Sequence, residues 1–158
     1  MIMLKIKVIC IGTLKEKYWR DACLEYAKRL GAFCKFEIIE LAESRVPERP
    51  SEKEIAAALS KEAALILKNL SGAVYTLCIE GKPMSSEKLA ECIERDSMTA
   101  SELCFVIGSS HGLSNEVKSA GKRISMSEMT FPHQLARVML CEQIYRAMSI
   151  INGGKYHK

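Results

Sequence analysis

The C-terminal end of the chain concentrates side chains that can move protons, bind phosphate and stack on bases. A helical pattern of about twenty residues begins at Pro132 and stops at Gly153-Gly154. A Lys-Tyr-His-Lys tail follows over residues 155–158 and has no core to join. Such an end is often disordered. A Gly-Gly hinge before an aromatic and cationic tail also suits insertion into a site, and both interpretations stay open on the residues alone.

A second group of small and polar residues lies where three predicted strands end. These strand ends are residues 77–82, 105–114 and 125–132. In a parallel α/β sheet, ligands bind outside the carboxyl ends of the strands. Gly108 and Gly112 would let the backbone turn sharply and approach a ligand closely. The GSSHG sequence that they enclose is equally typical of a plain β–α turn. Because it matches neither the dinucleotide nor the P-loop glycine pattern, it argues against nicotinamide enzymes and P-loop NTPases.

The last of these strand ends combines soft apolar side chains with hydroxyl groups. Met126, Met129 and Phe131 lie beside Ser127 and Thr130. A loop of this kind can enclose a flat aromatic ligand while its backbone groups bind the polar edge of that ligand. The alternative places the methionines in the core, and periodicity alone favours that alternative.

Two histidines lie close to these strand ends. His111 is in the glycine turn, and His133 is in the first turn of the final helix. A single histidine in such a place more often packs, caps or faces solvent than takes part in a reaction, so neither is predicted to be catalytic.

The composition describes an ordinary globular chain of 158 residues, with 48% hydrophobic residues and a net charge of +4. This charge permits binding to nucleic acid but is too small to establish it. No apolar run reaches the ~18 residues that span a membrane. The first residues are too short a stretch, and too regularly interrupted by lysine, for a signal peptide. We therefore expect a cytoplasmic protein that does not contact a membrane.

The seven cysteines follow no metal-binding or disulfide spacing, since no CxxC motif is present. We predict that they are small buried hydrophobic residues in a reducing compartment. A catalytic thiol is not predicted, because no adjacent base accompanies any of them. No metal site is predicted either.

Strand and helix patterns alternate along the chain. Apolar and β-branched runs predict strands over residues 4–11, 35–41, 73–79, 103–107 and 123–126. Periodic apolar residues predict helices over 15–30, 55–70, 86–96 and 114–120, besides the final helix. We expect a capping box at Ser51 and Glu54, a cap at Ser114 and a turn at Gly81-Lys82-Pro83. The alternation predicts one α/β domain over residues 1–158, with a parallel sheet and helices on both faces.

Two features of the surface concern partners. The final helix carries more apolar residues than one stripe needs, which predicts a second buried face and a homodimer. Cations are concentrated in the N-terminal third of the chain. On charge alone, a solvated surface explains them best.

Together these segments resemble the RlmH family of ribosomal RNA methyltransferases, in the SPOUT superfamily. The matching stretches are IGTLKEKYW at 11–19, EYAKRL at 25–30, FVIGSSHGL at 105–113, and MTFPHQLARVMLCEQIYRA at 129–147 with the terminal KYHK. The resemblance implies a deep trefoil knot in the C-terminal half, a homodimer formed through it, and S-adenosyl-L-methionine bound by the knot loops. It also implies methylation of N3 of a pseudouridine in the helix 69 loop of 23S rRNA, on the assembled 70S ribosome.

The resemblance also assigns roles to residues of this chain. Cofactor binding would involve Leu77, Gly108, Met126, Ser127, Glu128, Met129, Thr130 and Phe131. Relatives commonly have a second glycine where this chain has Ser109, which puts the conformation of that loop in question.

For the reaction that the resemblance implies, we hypothesise that the catalytic groups lie in the tail and on the final helix before it. His157, held by Tyr156, would serve as a base or hydrogen-bond the uracil edge. Arg146 and Lys158 would stabilise negative charge on the base or hold phosphate. Tyr18, Trp19 and Arg20, in the cationic N-terminal third, become an expected rRNA surface.

Two other functions compete with this one. A noncatalytic ribosome-associated protein would bind RNA without affinity for the cofactor. A methyltransferase that acts on transfer RNA would use the same site on a different substrate. The terminal Tyr-His-Lys argues against both, and no appended tRNA-binding domain is visible.

Overall fold

The computed structural model describes residues 3–158, in which all ten predicted elements are present. The strands are β1 (Lys5–Ile11), β2 (Lys35–Leu41), β3 (Ala73–Pro83), β4 (Glu102–Ile107) and β5 (Lys122–Ser125). The helices are α1 (Lys17–Leu30), α2 (Glu52–Asn69), α3 (Ser86–Ser97), α4 (Asn115–Lys118) and α5 (His133–Ile151).

The five strands form one sheet in the order β2-β1-β4-β3-β5, and every pair is parallel. The predicted parallel α/β fold is therefore confirmed. β1 and β4 are buried along almost their whole length. This burial explains their continuous apolar sequences, because strands covered on both faces have no polar side to expose.

Helices cover both faces of the sheet, as predicted. On one face, α1, α3 and α5 pack against a core that includes Val8, Phe105 and the stacked ring of Tyr75, whose centroid lies 4.8 Å from that of Phe105. On the other face, α2 and α4 cover Ile9 and Val106. No helix within residues 3–158 is long and apolar enough to cross a membrane.

Local signals determine where two helices begin. The Ser51 hydroxyl accepts a hydrogen bond from the Glu54 amide while the Glu54 carboxylate accepts one from the Ser51 amide, which confirms the capping box of α2. The Ser114 hydroxyl accepts from the Val117 amide at 3.3 Å and caps α4, as expected. Each cap satisfies backbone donors that the first helical turn leaves without partners.

The turn predicted at Gly81-Lys82-Pro83 is wrong, because these residues belong to β3. The strand shifts register between Leu77 and Lys82 and then pairs again, with Lys82 opposite Ile124. A Cβ at Gly81 would lie 2.6 Å from the carbonyl carbon of Ile124. Glycine and proline here permit a close strand contact after an irregularity, not a reversal of the chain.

Candidate functional site

A cavity of about 720 Å³ lies at the carboxyl ends of β3, β4 and β5. It is lined chiefly by residues 77–80, by residues 107–113 and by most of residues 124–133. These are the three strand ends that the sequence indicated. They converge because neighbouring parallel strands end at the same edge of the sheet.

The segment after Leu77 places a charged pair at the side of the cavity. Lys118 of α4 forms a salt bridge with the Glu80 carboxylate, and this contact holds the pKa of Glu80 below its usual value. Cys78, in β3, is half-buried, and desolvation raises the pKa of its thiol. This thiol is therefore protonated at neutral pH.

The glycine turn after β4 is built so that Ser109 needs no left-handed backbone. Gly112 takes the positive φ, at +84°, and its amide donates to the Ser109 carbonyl at 2.9 Å. A Cβ at Gly108 would lie 2.2 Å from the Gly112 carbonyl oxygen, so glycine is required there. Within residues 3–158, only glycines have positive φ. The loop therefore closes with Ser109 at the position where relatives commonly have a second glycine.

The loop after β5 is shaped by its own hydroxyl groups. The Ser125 hydroxyl donates to the Ser127 carbonyl at 3.0 Å, and the Ser127 hydroxyl accepts from the Met129 amide at 3.0 Å. Met129 is 73% exposed, so the interpretation that places it in the core is wrong. Met126 and Phe131 are half-buried and line the cavity. Apolar surface is therefore available to a ligand here.

Seven of the eight residues that the resemblance assigns to cofactor binding line this cavity, and Glu128 does not. Glu128 lies in the same loop and is exposed. Two residues not predicted to be functional, His111 and His133, do line it. His111 lies within one of the three strand ends and His133 directly follows another, and this was the signal that could have identified them.

The three predicted catalytic residues form a second cluster that does not line the cavity. The Arg146 guanidinium contacts Nδ1 of His157 at 3.1 Å and lies 4.7 Å from the ring centre of Tyr156. Nε2 of His157 lies 2.9 Å from Oε1 of Glu87, at the start of α3. The tail is therefore packed on α5 and α3, not disordered. Lys158 is exposed.

These contacts assign the tautomer of His157. Arginine always donates, so Nδ1 must accept. The neutral ring then carries its hydrogen on Nε2, which donates to Glu87. That hydrogen bond lowers the pKa of the Glu87 carboxyl. The side chain of Glu87 is 60% exposed, so water competes for this outer contact of His157.

The N-terminal aromatic and cationic residues lie on the surface at the start of α1. Tyr18 is 64% exposed and meets Trp19 edge to face, with ring centres 5.0 Å apart. Arg20 donates to the carbonyls of Leu14 and Lys15. The guanidinium of Arg20 therefore also braces the loop before α1.

Six of the seven cysteines are buried, as predicted, and Cys78 is the exception. Burial raises the pKa of Cys10 to about 12 and that of Cys34 to about 11. Such thiols behave as small apolar side chains. Within residues 3–158, the structure brings together no group of three metal-binding side chains.

Comparisons with known proteins agree with this arrangement. A family model described as "Predicted SPOUT methyltransferase" matches residues 4–157. The chain is 47% identical over 159 residues to a candidate ribosomal RNA large subunit methyltransferase H of Methanococcus vannielii. That alignment covers 98% of this chain and all of the relative.

Solved structures share the fold at lower identity. A candidate methyltransferase from Bordetella pertussis has a TM-score of 0.54 and 15% identity, over 92% of this chain and 95% of that one. A methylase family protein from Haemophilus influenzae has a TM-score of 0.53 and 16% identity, over 97% of this chain and 70% of that one. At these identities the likeness concerns the fold alone.

Proposed function

This chain belongs to the RlmH family of SPOUT methyltransferases, and on that premise we propose that it methylates N3 of a pseudouridine in the helix 69 loop of 23S rRNA, on the assembled 70S ribosome. The coarser activity follows from the family: methyl transfer from S-adenosyl-L-methionine to large-subunit rRNA. The observation that carries the proposal is the cavity at the carboxyl edge of the sheet, with seven of the eight assigned cofactor residues in its lining.

The cavity fits S-adenosyl-L-methionine in size and in chemistry. Its volume of about 720 Å³ lies within the range of small-molecule sites, roughly 300–1,000 Å³. Met126 and Phe131 offer apolar surface for a flat purine, while Thr130 offers a hydroxyl. Gly108 has no side chain, which lets the turn after β4 fold back closely on Gly112. When bound, the cofactor supplies an electrophilic methyl group on a sulfonium sulfur.

The tail would act on the methyl acceptor. N3 of the base must lose a proton to water as it gains the methyl group, and negative charge spreads to the uracil carbonyls. Because Nε2 of His157 carries the hydrogen, we expect His157 to donate to one of these carbonyls in exchange for Glu87. The Arg146 guanidinium contacts the other ring nitrogen of His157, Nδ1, at 3.1 Å and places a positive charge beside the ring. Donors placed in advance stabilise developing charge without further reorganisation.

A second copy of the chain would bring the two clusters together. Since the tail does not line the cavity of its own chain, we propose that it completes the cavity of a partner in a homodimer. α5 supports this proposal, because Leu135, Val138 and Met139 on it are only half-buried. Apolar side chains left partly exposed along one helix are typical of a protein interface.

Two further parts of the proposal concern the fold. We take residues 1–158 as a single SPOUT domain, which the two cores on one shared sheet support. We also propose a deep trefoil knot in the C-terminal half. The convergence of residues 77–80, 107–113 and 124–133 on one cavity supports it.

Methyl transfer from labelled S-adenosyl-L-methionine to 70S ribosomes that lack this modification tests the proposal, with separated subunits and bulk tRNA alongside. We expect label in large-subunit rRNA that maps to the helix 69 loop. Label in tRNA would keep the chemistry and overturn the substrate. No label anywhere, together with no cofactor binding by calorimetry, would favour the noncatalytic ribosome-associated protein.

A substitution of His157 tests its role separately. His157→Ala should lower turnover at saturating ribosome by about 100-fold, the effect of losing a donor to developing charge, and leave cofactor affinity unchanged. Lys155→Ala, which alters an exposed residue of the same tail, is the matched control. Unchanged turnover of the His157 variant would show that this role is wrong.

A further inference from the structure

We infer that Glu142 is a positioning residue, which holds Arg146 and Tyr156 so that the tail keeps its reactive arrangement. This inference rests on the proposed function of the tail. Glu142 lies on α5, and its side chain is only 16% exposed. The hypothesis for the tail gives Glu142 no role, although Glu142 contacts two of its residues, Arg146 and Tyr156.

Three donors converge on one oxygen of this carboxylate. Oε1 of Glu142 accepts from Nε of Arg146 at 2.9 Å, from Nη2 of Arg146 at 2.5 Å and from the hydroxyl of Tyr156 at 3.2 Å. The contacts to Arg146 fix the plane of its guanidinium. The remaining arm, Nη1, is thereby aimed at Nδ1 of His157. Glu142 thus acts on His157 through Arg146.

The other carboxylate oxygen connects this cluster to the body of the protein. Oε2 of Glu142 accepts from the side-chain Nε2 of Gln143 at 2.7 Å, and the side-chain Oε1 of Gln143 accepts from the Ser86 hydroxyl at 2.6 Å. Ser86 begins α3, next to Glu87, which contacts the far side of His157. The tail is therefore held between α5 and α3 by a continuous set of hydrogen bonds.

An ordinary helix salt bridge does not account for this arrangement. Glu142 and Arg146 are four residues apart, and such a pair on an exposed helix contributes little to stability. Here the carboxylate also accepts from Tyr156, fourteen residues further along the chain. A side chain that joins a helix to a segment beyond its end positions that segment, besides any effect on the helix.

The test compares Glu142→Ala with Glu91→Ala, which removes a glutamate from an exposed helix salt bridge with Lys88. We expect the Glu142 variant to lower turnover by about 10- to 100-fold, as small misplacements of reacting groups do. The affinity for S-adenosyl-L-methionine, measured by calorimetry, should not change. The Glu91 variant should match the wild type. Equal turnover of both variants would overturn the inference.

A double variant separates positioning from a general structural effect. Residues that act as one unit have strongly non-additive effects. In a His157→Ala background, Glu142→Ala should therefore lower turnover by less than about twofold. Independent, multiplying losses would overturn the inference. Glu142→Gln, which keeps the shape and one acceptor oxygen, should recover part of the lost turnover.

Tail mobility offers a readout that does not depend on activity. Trypsin cleaves after Lys155, and release of the Tyr-His-Lys tripeptide can be followed by mass spectrometry. We expect faster release from the Glu142 variant than from the wild type or the Glu91 variant. Unchanged release would overturn the inference. Wild-type protein that methylates no RNA would instead overturn the proposed function on which it rests.

Discussion

At the scale of single residues, the surroundings of Tyr156 change the acidity of its phenol. Tyr156 packs beside Tyr145, with ring centres 4.7 Å apart, and donates to Glu142. Burial and the nearby carboxylate raise the pKa of Tyr156 to about 12. The phenol is therefore a donor at neutral pH, and it cannot act as a base in the proposed methyl transfer.

The raised pKa predicts that Tyr156 ionises at a higher pH than an ordinary tyrosine does. At pH 11 an ordinary phenol is about 90% ionised, whereas one with a pKa of about 12 is about 10% ionised. The difference in phenolate absorbance between wild type and Tyr156→Phe should therefore be small at pH 11 in the folded protein. It should reach the ordinary size in guanidinium chloride.

The sign of the linked stability follows from the same shift. Because the folded pKa lies above the unfolded value, the stability that Tyr156 contributes is fully present below about pH 10 and is lost as the pH rises towards about 12. Circular dichroism checks that the fold survives at pH 11. A full-sized phenolate difference in a folded protein would contradict the packing of Tyr156.

Cys78 gives a residue-scale prediction for the cavity. It is the one cysteine of the seven that is not buried, and it lines the cavity. A thiol-specific reagent should modify Cys78 first, and faster at higher pH because desolvation raises its pKa. Saturating S-adenosyl-L-methionine should slow this reaction, as followed by mass spectrometry.

The control for that experiment is Cys78→Ser, which should remove the fast-reacting thiol. If the cofactor binds by calorimetry but leaves the modification rate of Cys78 unchanged, the cofactor does not occupy this part of the cavity. The assignment of Leu77, which adjoins Cys78 in β3, to the cofactor site would then be contradicted.

At the scale of elements, the position of the loop after β5 depends on how β3 pairs with β5. After its register shift, β3 runs beside Ile124 and Ser125, and the loop of residues 126–132 follows directly. Three backbone atoms of Ile124 would lie within 2.8 Å of a Cβ at Gly81. Backbone atoms in a sheet cannot move aside as the end of a flexible side chain can.

Gly81→Ala should therefore destabilise the protein by about 1–3 kcal/mol, the usual cost of overpacking a closed contact. It should also weaken cofactor binding, because Ile124 lines the cavity. Denaturant unfolding and calorimetry measure the two effects.

Gly31→Ala is the matched control, since Gly31 has a helical φ of −57° and nothing closer than 3.2 Å to the added carbon. We expect little change in its free energy of unfolding. A Gly81 variant as stable as the Gly31 variant would show that β3 and β5 can separate at little cost.

At the scale of the whole molecule, the cavity and the cluster of Arg146, Tyr156 and His157 lie apart on one chain. The proposed dimer predicts that variants defective in different sites complement each other. His157→Ala removes the tail donor, and Thr130→Trp fills the cavity from its exposed rim. Each variant alone should have little activity, no more than that expected of His157→Ala.

When the two variants are mixed and allowed to exchange, half of the dimers combine both chains and each of these has one intact site. Activity should then return to about a quarter of the wild-type value, as two-fold symmetry requires. No recovery, with exchange confirmed by mass spectrometry, would mean that the tail serves its own chain. Sedimentation should show a dimer for all proteins.

Local sequence determined much of this molecule. Apolar runs and periodic helices gave the right elements in the right order, because burial on one or both faces leaves its pattern in each segment. The caps at Ser51 and Ser114 followed from side chains that bond their own neighbours. The cavity was also foreseeable, since the carboxyl ends of parallel strands share an edge.

Tertiary contacts decided what periodicity cannot encode. The extension of β3 to Pro83 depends on a partner strand some forty residues later, and so looked like a turn. His111 and His133 join the cavity, while Glu128 stays outside it. The contact between His157 and Glu87 spans seventy residues. A residue pattern reports whether a position is buried, whereas the register of the sheet and the packing of α5 on α3 decide which groups meet there.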